Sequence, residues 1–311
     1  MANVVVTGGS GFIGSHVVDA LVDAGHHVTV LDHRVRPHRK DVAFEDVDLM
    51  DLSSVLAATQ GAEHIFHLAA VSNVNYAHKY PVYTTALNVM GTTHILEAAR
   101  LNGARRVHLA STVWVYNGAP NGKPADESVP FYLEGAGHIY TSSKIASEMV
   151  CHNYHQLYQV PFTILRYGIP YGPRMREELL IPVFLKKALS GQPLTVAGKG
   201  NQYRNFVYVR DMAEAHVLAM KEEAANRTYN LEGRRQVTIL EVAEGIKKLV
   251  GDHVRIEFVP ERPGDFGGKE ISAEKARREL GWFPTVEFED GLARTVQWFR
   301  DKWSAERLLV A

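Results

Sequence analysis

The chain has 311 residues, of which 46% are hydrophobic, and its 34 Lys and Arg nearly balance its 35 Asp and Glu. This length supports one large domain with a smaller companion, and the balanced charge argues against a nucleic-acid-binding protein. The single cysteine, Cys151, excludes an internal disulfide.

In the first half of the chain, short apolar runs alternate with helical patterns. The runs predict strands at 4–7, 27–32, 64–68, 106–110 and 162–166. The intervening segments predict helices at 13–24, 52–58, 82–101 and 140–158. Strands that are apolar throughout and alternate with helices are typical of a parallel sheet covered on both faces.

The turn after the first strand carries a glycine motif, TGGSGFIGS, that opens the first helix. Gly8, Gly11 and Gly14 have the spacing at which one glycine permits a tight turn, one admits a pyrophosphate and one allows close packing of helix on strand. The amides at the start of the helix would then face the phosphates. In this strand-turn-helix context the motif predicts a dinucleotide site.

An acidic residue, Asp32, ends the second predicted strand. A carboxylate at this place accepts hydrogen bonds from the adenosine ribose and repels a 2′-phosphate, which favours NAD over NADP. Arg34 and Arg36 follow closely and leave NADP open as an alternative.

A tyrosine and a lysine four residues apart, Tyr140 and Lys144, begin the predicted helix 140–158. Residues at i and i+4 share a helix face, and a nearby cation favours an ionised phenol. Tyr140 is therefore a candidate general base. Thr112, just after the strand at 106–110, is the third candidate because its hydroxyl can bind the reacting oxygen.

Beyond residue 166 the segments become shorter and richer in Gly and Pro. We expect an α/β fold: a Rossmann doubly wound parallel sheet with a smaller mixed α/β C-terminal domain. The predicted cofactor domain spans 1–168, with 206–232 returning to it. The predicted substrate domain comprises 169–205 and 233–311.

Taken in order, these motifs resemble the extended short-chain dehydrogenase/reductase superfamily, in its NAD-dependent nucleotide-sugar epimerase/dehydratase branch. The resemblance runs from about Asn3 to Trp303 and is carried by segments such as TGGSGFIGSH, NVMGTTHILEAA, YTSSK, LRYGIPYGPR and QYRNFVYVRD. It implies NAD as cofactor, with these contacts: Gly8, Gly11, Phe12, Ile13, Gly14, Asp32, His33, Asp48, Leu49, Leu68, Ala69, Ala70, Asn88, Tyr140, Lys144 and Tyr167. It implies a nucleotide-sugar substrate, UDP- or dTDP-linked, with these contacts: Thr112, Val113, Trp114, Tyr140, Ile169, Arg176, Gln202, Arg204, Arg262 and Asp265.

The residues after Thr112 discriminate among the reactions of the resembled family. Its dehydratases carry Asp-Glu there and its decarboxylases Ser-Glu, whereas this chain has Val113 and Trp114, neither of which transfers a proton. We therefore expect a C4 epimerase that works through a 4-keto sugar and a tightly bound NAD. A 4-ketosugar reductase and a non-catalytic NAD(H) sensor stay open, and Trp114 serves equally well as a core aromatic.

One departure from the family concerns the sugar. The family often has an asparagine where this chain has Ile169, so that substrate contact is missing. Arg176 follows soon after, and a bidentate pair with a sugar carboxylate would be strong. The substrate is therefore expected to be of the UDP-glucose/UDP-galactose or the UDP-glucuronate type.

Several expectations concern the protein's surroundings. His152 and His155 lie three apart without an acidic partner at ligand spacing, so we expect no metal site. The chain shows no signal peptide and no apolar stretch of the roughly 18 residues that a membrane span needs, which predicts a cytoplasmic protein. The resemblance implies a homodimer formed by the helices at 82–101 and 140–158.

Overall fold

The computed structural model describes residues 1–120, 122–261 and 269–310. The strands are β1 (Asn3–Thr7), β2 (His27–Asp32), β3 (Ala43–Asp46), β4 (His64–His67), β5 (Arg106–Thr112), β6 (Phe162–Tyr167), β7 (Ile169–Tyr171), β8 (Leu194–Ala197), β9 (Tyr203–Arg204), β10 (Phe206–Tyr208), β11 (Arg227–Leu231), β12 (Val237–Thr238) and β13 (Ile256–Val259). The predicted strands are present, and β5 continues two residues further than expected, so that Thr112 is its last residue.

The helices are α1 (Phe12–Asp23), α2 (Leu52–Ala58), α3 (Val74–Lys79), α4 (Pro81–Thr85), α5 (Gly91–Asn102), α6 (Ile139–Tyr158), α7 (Leu180–Leu189), α8 (Val209–Leu218), α9 (Ile239–Val250), α10 (Glu274–Leu280) and α11 (Phe288–Val310). The long helix expected at 82–101 is α4 and α5 joined by a π-helical turn at Ala86–Met90. Gly103, in the left-handed conformation, ends α5.

Seven strands form one sheet in the order β11-β6-β5-β4-β1-β2-β3, and every pair in it is parallel. The chain winds outward from β1 in both directions, so β1 and β4 flank the point at which the strand order reverses. Open α/β sheets bind ligands at the carboxyl ends of the strands beside such a point. The expected Rossmann doubly wound sheet is confirmed.

The two faces of this sheet bury different residues because side chains alternate along a strand. On one face, Val5 and Ile65 pack with Leu96 of α5 and Cys151 of α6. On the other, Val4, Val6 and Phe66 pack with Val17 and Leu21 of α1. Helices therefore cover both faces of the central strands.

The chain divides into two compact units: Met1–Tyr167 with Met212–Leu231 and Glu270–Phe283, and Gly168–Asp211 with Glu232–Lys269 and Pro284–Ala311. Beyond one residue at each of positions 168 and 232, this division differs from the expected bounds in two segments. Strand β10 pairs with β7 and so groups with the second unit. Lys275 of α10 donates to the Thr228 carbonyl of β11, which places that helix in the first unit.

The second unit is built from three two-stranded pairs, β10-β7, β12-β9 and β13-β8. Thr238 starts α9 with a capping box in which its side chain and that of Glu241 bond each other's backbone amides. None of the described residues forms a helix that is long and apolar enough to cross a membrane.

Candidate active site

The turn between β1 and α1 needs its glycines for steric reasons. Gly8 has φ 69°, and the Gly11 amide donates to the Gly8 carbonyl at 3.0 Å. A Cβ on Gly14 would lie 2.1 Å from the Gly8 oxygen, and one on Gly8 would lie 2.7 Å from the Ala69 nitrogen. Backbone from the β1 and β4 loops thus meets at the reversal point of the sheet. This bare, close-packed turn at a helix start fits a dinucleotide phosphate.

Asp32, at the end of β2, is fixed beside this turn. One carboxylate oxygen accepts the Ser10 amide at 3.0 Å and the other accepts the His33 amide at 2.9 Å. Burial raises the pKa of Asp32 above its ordinary value, against these hydrogen bonds. A carboxylate has about four acceptor positions, so two hydroxyls of a ribose can still bind. The group fits NAD and would repel the 2′-phosphate of NADP.

The loop after β4 lies across the turn and contains Leu68, Ala69 and Ala70. The Leu68 amide donates to the Thr7 carbonyl at 3.2 Å, and the Ala69 amide donates to the Thr7 hydroxyl at the same distance. Asn88 braces the loop that follows, since its side chain bonds both the amide and the carbonyl of Val71 at 2.8 and 3.0 Å.

The other predicted cofactor contacts border the same sheet edge. Phe12 and Ile13 form the first turn of α1. Asp48 is exposed and accepts the Met50 amide, whereas Leu49 is buried. The structure places the remaining two at strand ends: His33, 3.4 Å from Asp46, and Tyr167, whose register partner is Thr112.

Helix α6 carries the predicted catalytic pair. It begins at Ile139, one residue earlier than expected, because the His138 side chain caps it. Tyr140 is partly buried and Lys144 is buried, with its ammonium donating to the Ala110 carbonyl at 2.9 Å. Burial lowers the pKa of Lys144 to about 8, although Glu148 opposes the shift. Two of the three ammonium donors stay available for other partners.

Thr112 ends β5 beside this pair, one strand from the reversal point. Its hydroxyl oxygen accepts the Trp114 amide at 3.2 Å, which leaves the hydroxyl proton free to donate. Val113 is buried, and Trp114 is partly buried with its ring 6.1 Å from that of Tyr140. Trp114 also packs on the small apolar cluster of Val113, Val115 and Tyr116. The structure thus brings all the predicted catalytic residues to one sheet edge.

A buried ion pair that the sequence analysis missed ties α6 to the sheet. Arg166 of β6 donates to Glu148 from Nε at 3.0 Å and from Nη2 at 2.6 Å, and Ser111 donates to the same carboxylate. Glu148 is fully buried. Because Ser111 adjoins Thr112 and Glu148 lies one turn beyond Lys144, the pair fixes the catalytic elements together. The partners are 18 residues apart, which no local pattern indicates.

A second missed group is a buried chain centred on His67, the last residue of β4. Its Nδ1 lies 2.8 Å from the Thr7 hydroxyl and its Nε2 lies 3.0 Å from the Thr92 hydroxyl. Thr92 in turn donates to the Asn88 carbonyl at 2.6 Å. Burial, reinforced by Lys144, lowers the pKa of His67 to about 3, so the ring is neutral. These hydrogen bonds fix the end of β1, where the glycine turn starts, to the end of β4.

Four predicted substrate contacts lie in the second unit. Ile169 begins β7, the Gln202 carbonyl accepts the Ile239 amide at 2.9 Å, and Arg204 in β9 pairs with Val237. Arg176 is 3.6 Å from Glu178. The remaining two, Arg262 and Asp265, fall outside the described residues.

Comparisons with known proteins identify the family of the chain. Residues 4–231 match the model of the NAD dependent epimerase/dehydratase family. The chain is 31% identical to a putative UDP-glucose 4-epimerase of Methanocaldococcus jannaschii, over 96% of this chain and 98% of that protein. It is 33% identical to a dTDP-glucose 4,6-dehydratase of Neisseria gonorrhoeae, over 96% of each. The crystal structure of Thermus thermophilus UDP-glucose 4-epimerase with NAD superposes with a TM-score of 0.86 at 34% identity, covering 96% of this chain and 99% of that one.

The matched range includes the glycine turn, Asp32, Thr112, Tyr140 and Lys144. The names of these relatives give two reactions, epimerisation and dehydration. The chain belongs to the NAD-dependent epimerase/dehydratase family, and its cofactor is NAD.

Proposed function

We propose that this protein is a nucleotide-sugar 4-epimerase that interconverts the two C4 configurations of a UDP- or dTDP-linked hexose through a 4-keto sugar. The observation that carries the proposal is the sheet edge where Tyr140, Lys144 and Thr112 meet and where Val113 and Trp114 follow. This set supports redox chemistry at a hydroxyl-bearing carbon and supplies nothing further for elimination.

The cofactor contacts follow from the glycine turn. The amides at the start of α1 would bind the pyrophosphate, and Asp32 would bind the adenosine ribose. Leu68, Ala69 and Ala70 would line the face of the cofactor, with Asp48 and Leu49 at the adenine. Lys144 would bind the nicotinamide ribose with one of its free donors.

Bound by these residues, NAD would supply the hydride acceptor for oxidation at C4 and, in its reduced form, the hydride donor for the return step. The chain's own task is to move one proton and to hold one oxygen. Tyr140, ionised beside the Lys144 ammonium, takes the proton of the C4 hydroxyl. Thr112 donates its hydroxyl proton to the same oxygen, since its acceptor side already serves Trp114. Tyr140 then returns its proton to the oxygen after the sugar has turned over in the site.

Dehydration and decarboxylation are less well supported, although the family includes a dehydratase among the relatives above. Loss of water from C5 and C6 needs an acid and a base next to the reacting oxygen. Val113 and Trp114, which follow Thr112, have neither. A 4-ketosugar reductase would use an exchangeable and usually phosphorylated cofactor, which Asp32 disfavours.

The diphosphate of the substrate is assigned to side chains that follow residue 168. We propose that Arg204 and Arg262 bind the diphosphate, because an arginine fork matches phosphate oxygens. Gln202 and Asp265 would shape this pocket, and Ile169 would meet the sugar without a hydrogen bond. Arg176 would bind a carboxylate if the sugar is a uronate.

The reaction class is tested by mass spectrometry on a panel of substrates. The NAD-loaded protein is incubated with UDP-glucose, UDP-glucuronate, UDP-N-acetylglucosamine and dTDP-glucose, and the products are separated and weighed. An epimerase gives a new species of unchanged mass. A product lighter by one water or by one carbon dioxide would replace the proposal with a dehydratase or a decarboxylase.

A further inference from the structure

His138 is a residue that the proposed mechanism does not yet use. It stands two residues before Tyr140 and is the N-cap of α6. The residue is partly buried, and its ring centre lies 6.1 Å from that of Tyr140. Histidine is not among the residues that helices prefer at this position. Capping alone therefore does not explain why a histidine lies beside the candidate base.

The cap fixes which ring nitrogen of His138 carries the proton. Nδ1 lies 3.3 Å from the Thr141 amide nitrogen and 3.1 Å from the Thr141 hydroxyl. The amide can only donate, so Nδ1 accepts in this cap, and we assign the proton of the neutral ring to Nε2. Burial lowers the pKa of His138, which keeps the ring neutral at pH 7. Nε2–H is therefore a donor of fixed orientation.

Three rings form a group that we name the aromatic triad: Trp114, His138 and Tyr140. The His138 and Trp114 centres are 5.0 Å apart, and the Trp114 ring meets Tyr140 edge-on at 86°. The triad places the imidazole beside the phenol that is assigned to C4. The cap uses Nδ1 and not Nε2. A donor of this kind adds specificity to a binding site when a ligand accepts its hydrogen bond.

We infer that His138 is a specificity residue whose Nε2–H donates to a hydroxyl of the sugar ring while Trp114 borders the same sugar. The inference rests on the proposed function, because it needs a nucleotide sugar with its C4 at Tyr140. It assigns sugar recognition to the aromatic triad of the first unit, in addition to the diphosphate contacts proposed above.

The test compares how tightly the NAD-loaded protein binds UDP-glucose and UDP, by calorimetry, in the wild type and two variants. His138→Asn keeps an acceptor for the cap but withdraws the imidazole, and Asn is a good N-cap residue. His138→Phe keeps a ring without the donor. Loss of one neutral hydrogen bond predicts a Kd for UDP-glucose that is about 3- to 10-fold weaker. The Kd for UDP, which lacks the sugar, stays within about 2-fold.

The matched control is His152→Asn, further along the same helix, where the imidazole packs against Phe162. It should bind both ligands as the wild type does. Equal UDP-glucose affinity in the wild type and both His138 variants would overturn this inference alone. A wild-type protein that binds none of UDP-glucose, UDP-glucuronate, UDP-N-acetylglucosamine and dTDP-glucose would overturn the proposed function and the inference with it. If both UDP and UDP-glucose weaken equally, His138 acts only on the fold and the inference is wrong.

Discussion

In Lys144, which lies one helical turn from the candidate base, burial disfavours the charged ammonium and the nearby carboxylate of Glu148 favours it. Lys144 lies in the interior, where an ammonium is costly, yet it keeps one hydrogen bond to Ala110 and the field of the buried Glu148. The result is a pKa of about 8 instead of the usual value for lysine. The cation that we propose to favour a Tyr140 phenolate is therefore present at neutral pH and is lost at mildly alkaline pH.

The lowered pKa of Lys144 predicts an alkaline limb in the activity. Below about pH 8 Lys144 is protonated, and as the pH rises through this value the cation is lost, so kcat/KM should fall. Lys144→Arg keeps its charge at every accessible pH. The variant should be slower at pH 7 but should lack the fall above pH 8. The measurement is kcat/KM of both proteins between pH 6 and 10. An identical fall above pH 8 in both proteins would show that another group titrates.

At the scale of the element, α6 has two faces with separate tasks. The inner face buries Ser143, Lys144, Ser147, Glu148 and Cys151 against the sheet. The outer face leaves large apolar side chains in solvent, with Met149 at 54% and Leu157 at 69% exposure. Val82 on α4 is 83% exposed, and Tyr83 beside it 50%. Exposed apolar side chains on two helices that pack side by side are typical of an interface.

We propose that these outer faces of α4 and α6 pair with those of a second copy, as the sequence analysis expects. A two-fold interface uses the same patch on both subunits. A charge placed at its centre is therefore introduced twice, and Met149→Glu with Val82→Glu should give a monomer that still binds NAD. Sedimentation of the variant and the wild type tests this. A monomeric wild type would contradict the proposal.

At the scale of the whole molecule, buried neutral histidines cross the sheet. His64 and His108 are hydrogen-bonded at 3.0 Å, His108 stacks on Phe66, and His216 bonds Tyr167. Burial lowers the pKa of His64 and of His216 to about 4 each, and that of His108 well below its ordinary value. Each ring is therefore uncharged in the folded protein and can take a proton only after unfolding.

These buried histidines make the folded protein less stable at acidic pH. Between the folded pKa and about 6.5 the unfolded chain binds more protons, so stability falls as the pH falls below 6.5. At pH 5.5 each such histidine lowers the free energy of unfolding by about 1.4 kcal/mol. His108→Gln should reduce the loss between pH 7.5 and 5.5 by about this amount. Urea unfolding at the two values measures it, and an unchanged loss would contradict the assignment.

Features that depend on neighbouring residues could be predicted from the sequence. The glycine turn, Asp32 and the Tyr140–Lys144 pair are local patterns, and each lies in the element that the sequence predicts for it. Contacts between distant segments could not be predicted, and so Glu148 with Arg166 and the pairing of β10 with β7 were missed. Strand β3 was also missed because it is an edge strand with a mostly exposed pattern.

The proposed epimerisation depends most on Tyr140 acting as the base at C4. The direct measurement follows the C4 configuration of the turned-over nucleotide sugar by NMR in the wild type and in Tyr140→Phe, with NAD bound to both. We predict that the wild type equilibrates the two epimers and that the variant, still folded and still holding NAD, does so at least about 100-fold more slowly. A variant that equilibrates them at the wild-type rate would contradict the account.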